Sequence, residues 1–363
     1  MKHLKFLFFF LSLVLQANDV NTSISHINDT NITNEDVNGS EDNYIDAFHK
    51  RASSYVQHLS GYADATLINM ADYLENNETN TSRNDKSITS DNKEAVDFFF
   101  LQEKYLDETD NSYIAIRPLI RFSSKEKEEY NFKISAHLAL SKSKKRFKFF
   151  LNDVDKDNAD NILSEDPIQS TPSFGLNYFA PKTYGIASKY SLGLSGIYPF
   201  ARARYSKEFH PGSWIIEPVQ KFKYSSKDEF EEETQIYFDK KLTELSLFRI
   251  LFIRRTKSGE KGMPYDGSVS LFYAPSKGLG LSVSQYFNAS TRYDYTQDIN
   301  ATLSKAHQFS GIINYGTSVT LRQNILRPWF FYEIRPGVNF HKQYDYKPNY
   351  TVEFFLDIFV GNF

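Results

Sequence analysis

From residue 112 onward the chain alternates apolar and polar positions with a period of two, the spacing that sends successive side chains to opposite faces of a strand. In 112–122, Ile114, Ile116, Pro118, Ile120 and Phe122 share one face while Arg117 and Arg121 take the other. In 130–141, Tyr130, Phe132, Ile134, Ala136, Leu138 and Leu140 oppose Asn131, Lys133, Ser135, His137, Ala139 and Ser141. The clearest segment is 347–361, where Tyr350, Val352, Phe354, Leu356, Ile358 and Val360 oppose Thr351, Glu353 and Asp357. About fourteen segments read this way, near 112, 130, 144, 173, 184, 199, 213, 232, 245, 266, 279, 312, 327 and 347. The alternation is weak in 199–209 and 245–255.

Upstream the period changes. Tyr44, Phe48, Tyr55, Leu59, Tyr62, Leu67, Met70 and Leu74 recur at helical spacing and predict an amphipathic helix over 44–75, with Gly61 as the place where it would break. The flanking stretches 18–43 and 76–111 are polar and read as linkers, the first of them disordered. Residues 1–17 join Lys2 and Lys5 to an apolar run, Phe6 to Leu15, and end on the small Ala17, the pattern of a cleaved secretory signal. That run has about ten residues, where a spanning helix needs about twenty. The expected organisation is a signal peptide at 1–17, a linker at 18–43, a periplasmic helical segment at 44–75, a linker at 76–111 and a barrel at 112–363.

Alternation by itself fits a soluble sandwich as well as a membrane barrel, because both bury one face of a sheet. Composition and connections separate them. The chain carries 32 Phe and 24 Tyr, aromatics that need an apolar surface to face. The connections after odd-numbered segments are mostly long and polar (SSKEKEE, 152–172, SSKDEFEEE, KSGEKGMPYDG, 288–311, HKQYDYKPN), and those after even-numbered ones are short. That asymmetry matches an outer-membrane barrel with both termini in the periplasm. The predicted fold class is therefore all-β, an antiparallel transmembrane barrel of about twelve to fourteen strands in a bacterial outer membrane. With no cysteine, disulfides, lipid attachment and thiolate metal sites are excluded, and a net charge of -3 gives no argument for nucleic acid.

The chain ends on Phe363, which with Phe359 resembles the C-terminal signal read by the barrel-assembly machinery. Counting back by twos from Phe363 meets Gly361 and Asp357 where that signal prefers apolar residues, so a shift of face near Gly361 is expected. The run from Arg322 to Val338 (RQNILRPWFFYEIRPGV) resembles a family of uncharacterised bacterial outer-membrane proteins, with weaker similarity around 144–148, at 199–205 (PFARARY) and near His49. The resemblance implies a barrel and a location, and no activity.

The inward faces are predicted to carry Arg117, Arg121, Lys133, Arg146, Lys148, Lys189, Arg202, Arg204, Lys221, Lys223, Arg322 and Arg335 against Glu217, Glu233, Asp239, Glu333, Glu353 and Asp357. A basic bias in a watery lumen favours anions; the competing reading is that these charges pair across strands and fill the barrel. Glu333 and Arg335, beside Arg322, Glu353 and Asp357, are expected to form a pairing network across three strands, since buried opposite charges must find partners.

Other candidates carry less. The run 153–160 departs from a calcium loop, having no Gly after Asp157 and Ser164 at the twelfth position, and reads as a solvated loop. His137, with Ser135 and Ser141, is a thin basis for a hydrolase. Trp214, Trp329, Phe330, Tyr332 and Tyr350 read as girdle aromatics. No catalytic residue, cofactor or metal is expected, and no nucleic-acid partner. The expected partners are outer-membrane lipids, the assembly machinery and a periplasmic protein reached through the helix. The leading expectation is a passive or gated channel for small solutes, anions among them. A plugged structural or interaction barrel is the alternative, and an outer-membrane hydrolase the last.

Overall fold

A computed structural model describes residues 44–75, 100, 112–139, 147–151, 173–276, 278–295 and 307–361, with helix side chains described over 44–61. The signal peptide, the first linker, the second linker apart from Phe100, and the acidic run 153–160 lie outside the described residues, as do Arg146 and Phe363. The described residues from His49 onward belong to one compact unit.

The helix α1 (Tyr44–Glu75) runs unbroken through Gly61, so the break expected there does not occur. Its backbone ladder is intact, and nothing lies within 4 Å of where a Gly61 side chain would begin. The strands follow as β1 (Tyr113–Ser123), β2 (Glu129–Ala139), β3 (Phe147–Leu151), β4 (Ser173–Thr183), β5 (Ile186–Ser195), β6 (Tyr198–Ser206) and β7 (Trp214–Ser225). The second half is β8 (Glu229–Thr243), β9 (Ser246–Lys257), β10 (Pro264–Ser276), β11 (Leu279–Tyr295), β12 (His307–Asn324), β13 (Phe330–His341) and β14 (Pro348–Gly361). Each strand pairs antiparallel with its chain neighbours, and β1 pairs with β14, so the sheet closes with no free edge.

Closure fixes two faces. Ile120, Leu192, Phe252, Val269, Leu271, Val283 and Val319 stand exposed on the outside, together with Tyr130, Phe132, Tyr224, Tyr315 and Tyr350 toward the ends. Inside, Arg322, Gln235, Asp239, Asn177 and Asn349 are among the most buried side chains. Apolar outside and polar inside is the inverse of a soluble barrel, and it defines a transmembrane β-barrel.

The strands reach further than the sequence pattern suggested. The acidic run Glu229–Glu233 belongs to β8, not to a loop, because Glu231 and Glu233 face inward onto cations of β7 and β9. Much of the expected loop 288–311 is strand as well: β11 and β12 stay paired out to Tyr295 and His307, with bulges that absorb the extra residues near Ser290 and Ile313. The length asymmetry between the two ends of the barrel therefore rests mainly on 152–172 and 296–306. At the opposite end the β4–β5 hairpin turns on Tyr184 and Gly185, both at positive φ, the conformation of a type I′ turn.

The seam between β1 and β14 depends on Gly361. Its φ is +124°, and a Cβ there would lie 2.3 Å from the Ser112 carbonyl oxygen. Only glycine fits this approach.

Candidate functional site

The lumen has two unlike walls. On β12, β13, β14 and β1 the charges close on one another. Glu333 accepts from Arg335 at 2.6 Å, Arg117 at 3.1 Å and Arg322 at 3.2 Å. Asp357 pairs with Arg117 at 3.3 Å and with Arg322, and Glu353 pairs with Arg335 at 3.2 Å. Arg121 sits at the looser margin, 3.6 to 3.9 Å from Glu129, Glu353 and Glu126. Phe355 lies between two of these guanidinium groups, 4.2 Å from Arg117 and 4.9 Å from Arg335, and Phe331 lies 4.8 Å from Arg322. Cations held between carboxylates and ring faces keep little freedom to bind anything else. The network spans four strands, one more than the sequence reading joined, because Arg117 and Arg121 bring in β1.

Away from this network, a polar belt follows the inner wall across seven strands. Lys221 meets Glu233 at 3.2 Å, Glu233 meets Arg255 at 2.7 Å, and Arg255 meets Asp266. The belt continues from Asp266 to Asn288 at 2.8 Å, Asn314 at 3.2 Å and Asn339 at 3.1 Å. The asparagine part was missed in the sequence, where Asn reads as a turn residue. Nearby, Arg249 holds Asp239 through two hydrogen bonds of 2.7 and 2.9 Å. Arg249 also went unnoticed, because β9 points Leu247, Leu251 and Ile253 inward and so loses its alternation.

The second wall, β3 to β7, carries more cations than carboxylates, with Glu217 buried on β7. Two inward rows are set by register. One runs Lys148, Asn177, Ser191, Arg202, Lys223, and the next Phe179, Lys189, Arg204, Lys221. In these rows carboxylates begin only at β8, with Glu231 and Glu233. Neighbouring positions on successive strands lie about 4.8 Å apart, so Lys189, Arg204 and Lys221 stand side by side as like charges. Such an arrangement needs compensating partners, as Lys221 has in Glu233 at 3.2 Å. Lys133, on β2, also faces inward, beside Arg117 by register.

Near the hairpin turns an apolar cluster joins facing walls of the barrel. Phe100 packs with Tyr113, Phe331 and Phe359 from one side of the barrel and Leu247 and Phe272 from the other. One face of α1 reaches the same end. His49 stacks on Trp329 at 4.1 Å and 8° and meets the Phe359 carbonyl oxygen at 2.7 Å. Ser53 Oγ accepts from the Gly361 amide at 2.9 Å, Val56 is buried, and Ser60 accepts from the Ser112 hydroxyl at 3.0 Å. One expectation changes here: Trp329 is no girdle residue but the platform for His49. Phe359 points into the lumen, on the face it shares with Glu353 and Asp357, and is 1% exposed. Trp214 does sit outside, edge-on to Phe248 and 5.4 Å from Lys240 Nζ. His137 is buried in the wall with its ring 6.0 Å from Tyr113, edge to face.

A closed, polar-lined, lipid-facing cylinder is the architecture of the outer-membrane barrels that include the porins. Among solved structures the chain is similar to outer-membrane expressed OmpT of Vibrio cholerae, at 8% identity over 68% of this chain and 96% of that one, with a TM-score of 0.40. It is also similar to Pseudomonas aeruginosa OccK5 (OpdH), at 7% identity over 69% and 97%, TM-score 0.38, and to the KdgM porin, at 8% over 67% and 98%, TM-score 0.31. No protein-family profile and no curated protein matches the sequence.

Proposed function

We propose that this protein is a gated channel of the bacterial outer membrane that passes small anionic solutes along the β3–β7 wall. The single observation that carries the reading is the contrast between walls. Where β12, β13, β14 and β1 carry arginines, carboxylates stand on the adjoining strands; across β5, β6 and β7 register sets Lys189, Arg204 and Lys221 in one row, and the first carboxylate of that row is Glu233 on β8. A row of inward cations lowers the energy of an anion in a low-dielectric tube and raises that of a cation. The apolar cluster around Phe100 supports gating, since it must part before solute can cross the turn end.

The protein would be exported through the 1–17 signal, present a lipid-facing surface, fold with the assembly machinery and carry out no enzymatic step. A second reading is an interaction barrel, in which α1 meets a periplasmic partner. It is favoured by Tyr55 and Leu59, 60% and 56% exposed on the helix.

The test is the reversal potential of the refolded protein in planar bilayers under a potassium chloride gradient. Arg202→Ser and Arg204→Ser should each move it toward zero. Unchanged selectivity in both would refute the β3–β7 path, and a folded protein that never conducts would favour the interaction barrel.

A further inference from the structure

We infer that the outer wall of β7, β8 and β9 is the face through which two copies of this protein pair in the membrane, with Glu232 of one copy bound to Arg254 of the other. The pairing concerns the lipid side of the barrel and stands apart from the channel reading.

On β7 the outward positions begin at Trp214 and reach Tyr224 ten residues on. In a tilted strand ten residues climb about 25 Å, the height of the apolar band that aromatic side chains flank at both membrane surfaces. Tyr224 and its register partner Phe230, 60% and 45% exposed, mark the edge of that band at the loop end. Ile216, Ile236, Phe238 and Phe252 fill the band as lipid requires. Gln220, Glu232 and Thr234 do not. Their direction follows from their neighbours, since Lys221, Glu231 and Glu233 form ion pairs on the lumen side and the residues beside them point outward.

The three outward groups bond one another. The Thr234 hydroxyl donates to the Gln220 amide oxygen at 2.8 Å, and the Gln220 amide nitrogen donates to Glu232 at 3.2 Å. The Glu232 carboxylate thus holds one neutral donor and, among the described residues, no cation within 4 Å. A charge facing lipid is destabilising, because no water is there to solvate it. Arg254, the register partner of Thr234 on β9, also points outward, between the inward Ile253 and Arg255. Its Nε donates to the Met263 sulfur at 3.2 Å, an uncharged acceptor, and its forked end meets no carboxylate among the described residues. Glu232 and Arg254 stand on adjacent strands two residues out of step, a diagonal separation of about 7–8 Å. Opposite charges therefore share one patch without touching.

That pattern selects a second copy as the occupant. Barrels of one kind enter the membrane in one orientation, so a pair is related by a two-fold axis along the membrane normal and uses the same patch twice. An axis between β8 and β9 sets β8 of one copy against β9 of the other. Each Glu232 then faces the other copy's arginine, and the amide of Gln220 keeps a donor to share across the join. Apolar surface gives no drive to associate in lipid, where polar side chains hold spanning elements together. A phosphate-bearing lipid would satisfy Arg254 and repel Glu232; a copy of the chain answers both.

The chain has no cysteine, so single cysteines report the contact without background. The experiment uses the full chain refolded in phosphatidylcholine vesicles at high lipid excess and treated with a short bis-maleimide. Thr234→Cys should give a cross-linked dimer, and Val319→Cys, exposed on the outer face of β12, should not. In the Thr234→Cys chain, Glu232→Arg and Arg254→Glu should each raise the dimer dissociation constant, read by dilution in lipid, at least about tenfold, the effect of losing a close interfacial charge pair. Both changes together should restore the dimer, because the charges are exchanged and not removed. Equal cross-linking at the two cysteines, none at Thr234→Cys, or no restoration in the charge-exchanged chain would overturn the interface. If a single charge variant gives no heat-modifiable barrel, the charge-exchanged chain and the two cysteines still decide. A wild-type barrel that stays monomeric and retains phosphatidylglycerol only while Arg254 is present would overturn the pairing in favour of a lipid site.

Discussion

Replacing Glu333 by glutamine removes the carboxylate that three arginines share. Its contacts to Arg335, Arg117 and Arg322 are 2.6, 3.1 and 3.2 Å, and its side chain is 4% exposed. In the network four arginines (Arg117, Arg121, Arg322, Arg335) face three buried carboxylates (Glu333, Glu353, Asp357), with Glu126 and Glu129 at the exposed margin of Arg121, so a buried balance of +1 rises to +2 on the substitution. Breaking a buried pair from one side costs about 3–5 kcal/mol, because the remaining charge stays out of water. Arg121 is the internal control. Its contacts are 3.6 Å or longer and two of its partners are more than a third exposed, so Arg121→Met should cost at most about 1 kcal/mol. Equilibrium urea unfolding in lipid vesicles, followed by the gel shift between folded and unfolded barrel, measures both. The double variant Glu333→Gln with Arg322→Met returns the balance to +1 and should recover a good part of the loss. Equal losses for Glu333→Gln and Arg121→Met, or no recovery in the double variant, would refute the view that this wall is locked by buried pairing.

Three further outcomes are expected. Gly361→Ala should hinder closure of the β1–β14 seam, costing about 1–3 kcal/mol in backbone strain before the clash is counted, and a heat-modifiable band as strong as the wild type's would contradict it. Val56→Asp places a charge on the buried face of α1 and should raise the open probability in single-channel records, whereas unaltered gating would separate the helix from the closure. Tyr344, in the short 3-10 turn Lys342–Tyr344 between β13 and β14, donates to Glu126 at 3.0 Å. Its pKa is pushed up to about 12, first by desolvation and then by the Glu126 charge. The raised value means that the folded state holds this proton more tightly, so the contribution is whole below about pH 10 and lost as pH rises through about 12. Difference titration of the wild type against Tyr344→Phe reads it directly, and a titration near 10 would dismiss the contact.

How far the sequence carried the account differs from element to element. The two faces of β1, β2 and β14 were legible because a period of two survives wherever one side meets lipid and the other charge. Glu353 and Asp357 could be set beside Glu333, Arg335 and Arg322 for the same reason. The longer reach of the strands was not legible, since a run such as Glu229–Glu233 looks like a loop until the cations on both neighbouring strands are known. Nor was the closure at the turn end, where Phe100 and His49, both outside the barrel strands, meet residues far along the chain. The cations of β3 to β7 stood in the inward pattern, but the neighbouring Asn177 and Ser191 emerge only when register brings β4 and β5 together.

The most direct test of the account is the sign of the reversal potential for the wild-type protein in a planar bilayer under a tenfold potassium chloride gradient. The account predicts conductance steps with a reversal potential displaced toward that of chloride. A folded barrel that stays silent, or one whose reversal potential moves toward that of potassium, would contradict it.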